Sequence, residues 1–174
     1  MSIEAGGTDH GIIAKRDTSV LRIQIDRGAD GNLLSLEMIG RLEGLIRSAA
    51  QCTVISLSSS GPDFCLGRDH KNRPVMATAM EVRDRLTRPI MGLYEAIASS
   101  PAPVVCAVQG RASGLGCALA TCCDITLAAD DATFRLPELE GNLPPTLAIS
   151  AMMTRMTCAF SGIFMPHSFS TAIE

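Results

Sequence analysis

Apolar and polar positions first alternate between Val20 and Asp26, where Leu21, Ile23 and Ile25 interleave with Arg22, Gln24 and Asp26. A period of two predicts a strand with one buried face. Gly28 to Gly31 turns the chain, and the period then lengthens: Met38, Leu42, Leu45 and Ile46 share one face of a helix, with Ser35 placed as its N-cap. Val54 to Leu57 predicts a second strand, running into S-S-S-G-P-D, a loop by composition. Arg83 to Ser99 predicts one long helix, broken only by Pro89, with Met91, Leu93, Tyr94 and Ala98 as its inner face. Val104 to Val108 is short, apolar and rich in β-branched residues between Pro103 and Gly110, as a buried strand is. Ile125 to Ala129 and Thr133 to Leu136 predict two more strands. Residues 1–18 are polar and glycine-containing, and predict a loose arm. Strands alternating with helices place the chain in the α/β class.

The stretch from Pro103 to Asp124 organises the rest. Gly110, Gly114 and Gly116 follow the strand, and C-A-L-A-T-C-C after them is small and apolar enough to form a tightly packed helix. Strand, glycine turn and helix N-terminus together aim backbone N–H groups at something negative. The spacing G-x-x-x-G-x-G also fits the phosphate turn of short-chain dehydrogenases, but that turn belongs near the N-terminus. Their Tyr-x-x-x-Lys pair is missing as well: the only tyrosine, Tyr94, lies upstream, with Ala98 at the lysine position. A serine-hydrolase elbow is excluded too, since Ser113 sits in G-x-x-S-G and not G-x-S-x-G. Arg111 and Ser113 are therefore given no role beyond the turn.

Composition narrows the partners. At 174 residues, 47% hydrophobic and 19% charged, the chain is one globular domain. A net charge of -3, 3% aromatic residues and no Trp leave no case for nucleic acid. Seven cysteines form no C-x-x-C pair and sit mostly in apolar runs, as buried free thiols in a reducing, cytoplasmic setting would. The three histidines, His10, His70 and His167, lack metal-ligand spacing. The N-terminus does not read as a secretory signal, and no run reads as a membrane span.

Four stretches resemble the crotonase (enoyl-CoA hydratase/isomerase) superfamily, in its order and spacing. N-L-L-S-L-E-M from Asn32 resembles its first helix start; G-P-D-F-C-L-G-R-D, Gly61 to Asp69, its first oxyanion loop; G-R-A-S-G-L-G-C-A-L-A, Gly110 to Ala120, its second. F-R-L-P-E, Phe134 to Glu138, resembles its catalytic F-x-x-P-E, and Asp124 stands where the family has an Asp. The resemblance runs from about Val20 to Thr154. It implies a crotonase-like α/β spiral of ββα units over residues 19–154, followed by a tail, 155–174, that diverges from the family's helical C-terminal region.

It also implies chemistry. The substrate would be an acyl-CoA thioester, with no cofactor beyond the coenzyme A it carries, and the assembly a homotrimer or hexamer. Enolate charge would be met by two backbone N–H donors, those of Arg68 and Leu115, each typically worth a few kcal/mol. Leu66, Gly67, Asp69, His70, Gly114, Gly116 and Pro137 would shape the binding site, Asp69 by tying down its loop, while His70, Lys71 and Arg73 could meet the phosphates of coenzyme A. Glu138 would carry the proton. Hydratases of the family use a second glutamate at the position of Ala118, so one carboxylate serving both proton transfers, as in an isomerase, suits this chain better. The rival expectation is a protein, such as a truncated relic, that binds acyl-CoA without turning it over.

Overall fold

A computed structural model describes residues 10–71 and 77–159. Five strands form the main sheet in the order β1-β2-β3-β4-β6. They are β1 (Ile12–Asp17), β2 (Val20–Ile25), β3 (Val54–Ser59), β4 (Val104–Val108) and β6 (Ile125–Ala128). The β1–β2 hairpin is antiparallel and every other pair is parallel. Two short strands, β5 (Arg111–Ser113) and β7 (Thr133–Arg135), pair in parallel as a second sheet.

β1 corrects the expectation of a loose arm over residues 1–18. Ile12 and Ala14 are buried, Arg16 on the same face is half-buried, and Lys15 and Asp17 are exposed, so the strand's buried apolar signal is two side chains long. Full-length pairing with β2, from Ile12↔Ile25 to Asp17↔Val20, supplies what the pattern lacks. Residues 1–9 lie outside the described residues.

Helix α1 (Leu36–Arg47) starts as its sequence predicts, with the Ser35 hydroxyl accepting from the Met38 N–H, and buries Met38, Ile39, Leu42, Leu45 and Ile46. The next helix is longer than the pattern suggests. It opens as α2 (Ala79–Val82) on a Thr78–Glu81 capping box, widens to a π-turn over Arg83–Thr87, and continues without a break as α3 (Arg88–Ala98). The wide turn, in which the Arg88 N–H reaches the Arg83 carbonyl, immediately precedes Pro89, whose ring and missing N–H an α-ladder does not accept. The buried face is Ile90, Leu93, Tyr94, Ala96 and Ile97. Met91 and Ala98, expected inside, point outward.

Helix α4 (Leu115–Cys122) is buried along nearly its whole length. Helix α5 (Thr146–Ala159) occupies a stretch that its sequence does not mark as helical, and its last five residues fall within the expected tail. Pro144 and Pro145 precede it, where proline starts a helix rather than stopping one. Residues 160–174 lie outside the described residues. No helix among the described residues is long and apolar enough to cross a membrane.

Candidate active site

The site grows from a three-layer clamp on the loop 61–69. Asn32, fully buried with φ +54°, donates through Nδ2 to the carbonyls of Ser60 (2.7 Å) and Asp63 (2.8 Å), and its Oδ1 accepts from the Arg27 N–H (2.9 Å). Farther along, the Leu66 N–H donates to Gly31, the Leu34 N–H to Gly67, and the Asp69 N–H to Leu34, all at 2.8–2.9 Å. The Asp69 carboxylate accepts from the Lys71 N–H (2.9 Å) and from Arg27 Nη1 (3.1 Å), and both bonds hold it below the ordinary carboxylate range. Asp69 thus fastens the loop, and Arg68 sits within the bridge to Leu34.

The opposite edge of this loop is joined to the glycine turn. Cys65 and Ala112 form a parallel bridge, through Cys65 N–H to Arg111 (3.2 Å) and Ser113 N–H to the Cys65 carbonyl (2.9 Å). Asp63 receives the Arg111 backbone N–H (3.1 Å) and a two-pronged guanidinium, Nε at 2.8 Å and Nη2 at 2.7 Å. Arg111 therefore does more than occupy the turn: it locks the two loops together, and its bonds lower the Asp63 carboxyl pKa. Gly116 completes the joint. A Cβ there would lie 2.1 Å from the Cys65 carbonyl oxygen, so only glycine lets α4 approach so closely. Burial pushes the Cys65 thiol up to about 12.

Pairing of β5 with β7 brings Glu138 to the same place. The Gly114 N–H donates to Arg135 (2.9 Å), and Pro137–Leu139 form a 3₁₀ turn directly after β7. Gly114 has φ +52° and caps α4; a Cβ on it would come within 3.1 Å of Glu138 Oε1. Among the described residues, Glu138 Oε2 is buried with no hydrogen-bond partner. The Glu138 backbone is held by the Leu143 N–H at 2.9 Å and the Gly141 N–H at 3.1 Å.

These elements wall an open cleft of about 840 Å³. Leu66, Gly67, Arg68, Asp69 and His70 line it from the first loop, Gly114 and Leu115 from the α4 start, Pro137 and Glu138 from the 3₁₀ turn. Gly116 is the exception among the expected site residues: it lies behind the wall, against Cys65. His70 Nδ1 is 3.0 Å from Arg68 Nη2, and Lys71 Nζ is 3.2 Å from Asp30. Arg73 falls outside the described residues. Leu86, Ile90 and Tyr94, spaced by one helical turn each, form the apolar side, facing Leu147 and Ala148 of α5. Ala118 is fully buried in α4 and offers no proton-carrying group. Sequence reasoning passed over Asn32, Arg27 and the Asp63–Arg111 pair as parts of the site; their signal, buried Asn32 and Asp63 bonded to side chains and backbone distant in sequence, exists only once the loops are folded.

Solved structures with the same chain path fix the fold class. An enoyl-CoA hydratase of Mycobacterium smegmatis superposes with a TM-score of 0.75 at 25% identity, over 87% of this chain and 61% of that one. A putative enoyl-CoA hydratase of Streptomyces coelicolor gives 0.77 at 18% identity, over 96% and 64%. The architecture is the crotonase fold. In sequence, the profile described as enoyl-CoA hydratase/isomerase matches residues 15–159. A protein named probable enoyl-CoA hydratase in Mycobacterium bovis is 36% identical over 121 residues, covering 68% of this chain and 47% of its own length. The 2,3-dehydroadipyl-CoA hydratase of Escherichia coli is 31% identical over 137 residues, covering 77% and 52%. The chain belongs to the enoyl-CoA hydratase/isomerase family. It spans about half the length of these two relatives.

Proposed function

We propose that this protein binds an acyl-CoA thioester in the cleft and moves a proton at the carbon beside the thioester carbonyl, with Glu138 as the base. The observation that carries this is the Glu138 carboxylate: it stands in the cleft over Gly114, with Oε2 buried and unpaired. A carboxylate so placed, close to the first turn of α4, has proton-accepting capacity that no donor among the described residues consumes. The thioester oxygen would take its developing negative charge to the N–H groups of Arg68 and Leu115. Leu115 is the first residue of α4, where helix geometry leaves N–H groups without an intrahelical partner. Donors fixed before the charge develops need no reorganisation, which is why they favour the transition state over the substrate.

Glu138 takes the proton from C2 of a 3-enoyl thioester, the electron pair moves into the carbonyl to give a dienolate, and the same carboxyl returns the proton at C4. The product is the conjugated 2-enoyl thioester, and atoms and charge balance without another reactant. Ala118 favours this route over hydration, where a second carboxylate would hold the water. The same alanine also supports a second reading, binding without turnover.

The test supplies a 3-enoyl-CoA and follows the conjugated product by its ultraviolet absorbance, for the wild type and Glu138→Gln. Isomerisation by the wild type should fall about 10²–10⁴-fold in the variant while thioester binding persists. Binding by both proteins with turnover by neither would establish the second reading instead.

A further inference from the structure

Three parallel segments stand side by side and lead into the cleft. Cys65 of the first loop pairs with Ala112 of β5, and Ala112 pairs with Phe134 of β7. Each segment then runs on to one of the groups the chemistry needs. Arg68 lies three residues beyond Cys65, Leu115 three beyond Ala112, and Glu138 four beyond Phe134. The register of this miniature sheet therefore sets where both N–H donors and the carboxylate stand relative to one another. A slip of one residue at either join would carry one group along the chain and turn its strand over.

The joins that hold this register are short. β5 and β7 are three residues each. β5 meets the first loop through two backbone bonds, Cys65 N–H to Arg111 (3.2 Å) and Ser113 N–H to Cys65 (2.9 Å). Asp63 adds to them at the end of the ladder away from the active groups. Its Oδ1 accepts from the Arg111 backbone N–H (3.1 Å) and Nε (2.8 Å), and its Oδ2 from Nη2 (2.7 Å). Its backbone carbonyl accepts from Asn32 Nδ2 (2.8 Å), which ties the same residue to the turn before α1. A forked guanidinium–carboxylate pair fixes direction as well as distance. The Asp63 side chain is 10% exposed and that of Arg111 62%, so Arg111 reaches this carboxylate across the surface and fills no core position.

We infer, on the roles proposed above for Arg68, Leu115 and Glu138, that Asp63 and Arg111 are positioning residues: their pair pins the register of the three segments and so sets the spacing of the two donors and the base. Neither is among the described residues that line the cleft. A pair that only held the fold together would change stability and leave the turnover of folded protein alone. A register pin changes turnover in protein that is still fully folded. Affinity for the thioester should change little, because the apolar walls come from α3 and α5.

The test compares wild type, Asp63→Asn, Arg111→Ala and Arg111→Lys at a temperature where urea unfolding shows each to be folded. With a 3-enoyl-CoA, Asp63→Asn and Arg111→Ala should each lose about 10- to 100-fold in kcat, with KM changed less than about twofold. The double variant should lose no more than either single one, because the two residues act as a unit. Lysine keeps the charge without the fork, so Arg111→Lys should recover only part of the rate. Guanidinium ion, too dilute to unfold the protein, should restore Arg111→Ala but not Asp63→Asn, and methylammonium should restore neither. A second readout needs no turnover. In the infrared spectrum of a bound saturated acyl-CoA with a carbon-13 carbonyl, the two N–H donors lower the carbonyl frequency in the wild type. That lowering should shrink in both variants and return when guanidinium is added to Arg111→Ala.

Wild-type kcat and carbonyl frequency in folded Asp63→Asn and Arg111→Ala overturn the inference, as does a loss confined to KM or one that multiplies in the double variant. Should Arg111→Ala fail to fold, Asp63→Asn decides. A wild type that shows the carbonyl shift, loses it in the variants and yet exchanges no C2 proton keeps the pin and loses Glu138 as base. A wild type that binds thioester with an unshifted carbonyl loses the donors, and the pin with them.

Discussion

Gly116 shows how little freedom single residues have at the joint between the two loops. Its Cα–H side faces the Cys65 carbonyl so closely that one added methyl group must displace backbone. Gly116→Ala should lower stability by about 1–3 kcal/mol, measured by urea unfolding, and weaken thioester binding in step, because the loops move with the helix. Asp63 joins the same loops through charge. Its carboxyl is held low chiefly by the Arg111 side-chain hydrogen bonds. A lowered folded pKa means stability that is present above the ordinary carboxylate range and lost as pH falls through the folded value. Asp63→Asn should therefore cost about 1 kcal/mol at pH 7, a modest figure because the Arg111 side chain is 62% exposed. The difference from wild type should shrink when unfolding is repeated below about pH 4.

The elements differ in how plainly their sequences announce them. Val20 to Ile25 and Leu36 to Arg47 could be read directly, since each has one apolar face and a matching boundary residue. The phase of α3 could not: Ile90, Met91, Leu93, Tyr94, Ile97 and Ala98 crowd two adjacent faces, and only packing against the core decides for Ile90 over Met91. β5 escaped notice because three residues inside a glycine turn become a strand only when β7 arrives beside them. α5 escaped because its apolar residues have no clear face. The positions of the two glycine loops and of Glu138 were legible, carried by family resemblance. What holds them, Asn32 and the Asp63–Arg111 pair, was not, because long-range polar contacts leave no local pattern. The capping box of α2 offers a test at this scale. Thr78→Ala removes the hydroxyl that accepts from the Glu81 N–H. It should cost about 1 kcal/mol and loosen the helix that carries Leu86 and Ile90 to the cleft, seen as faster amide hydrogen exchange across 79–87.

For the whole molecule, the cleft is where elements distant in sequence converge, so a ligand there should stabilise all of them. A saturating acyl-CoA, at about 100 times its Kd, adds roughly 2.7 kcal/mol to the folded state. For a chain of this size that raises Tm by about 5 °C or more. NADH should give no rise, since the tyrosine–lysine pair of the dehydrogenase alternative is missing.

The central claim is that Glu138 removes a proton next to a thioester whose enolate the cleft stabilises. Proton exchange at C2 reads that step alone, without requiring a double bond to move or water to add. A saturated acyl-CoA is incubated with the protein in deuterium oxide, and loss of its C2 proton signal is followed by NMR. Exchange should be catalysed by the wild type and fall at least about 100-fold with Glu138→Gln, while the thioester still raises Tm in both. Equal exchange by the two proteins would contradict the claim and leave Glu138 as a carboxylate that merely lines the cleft.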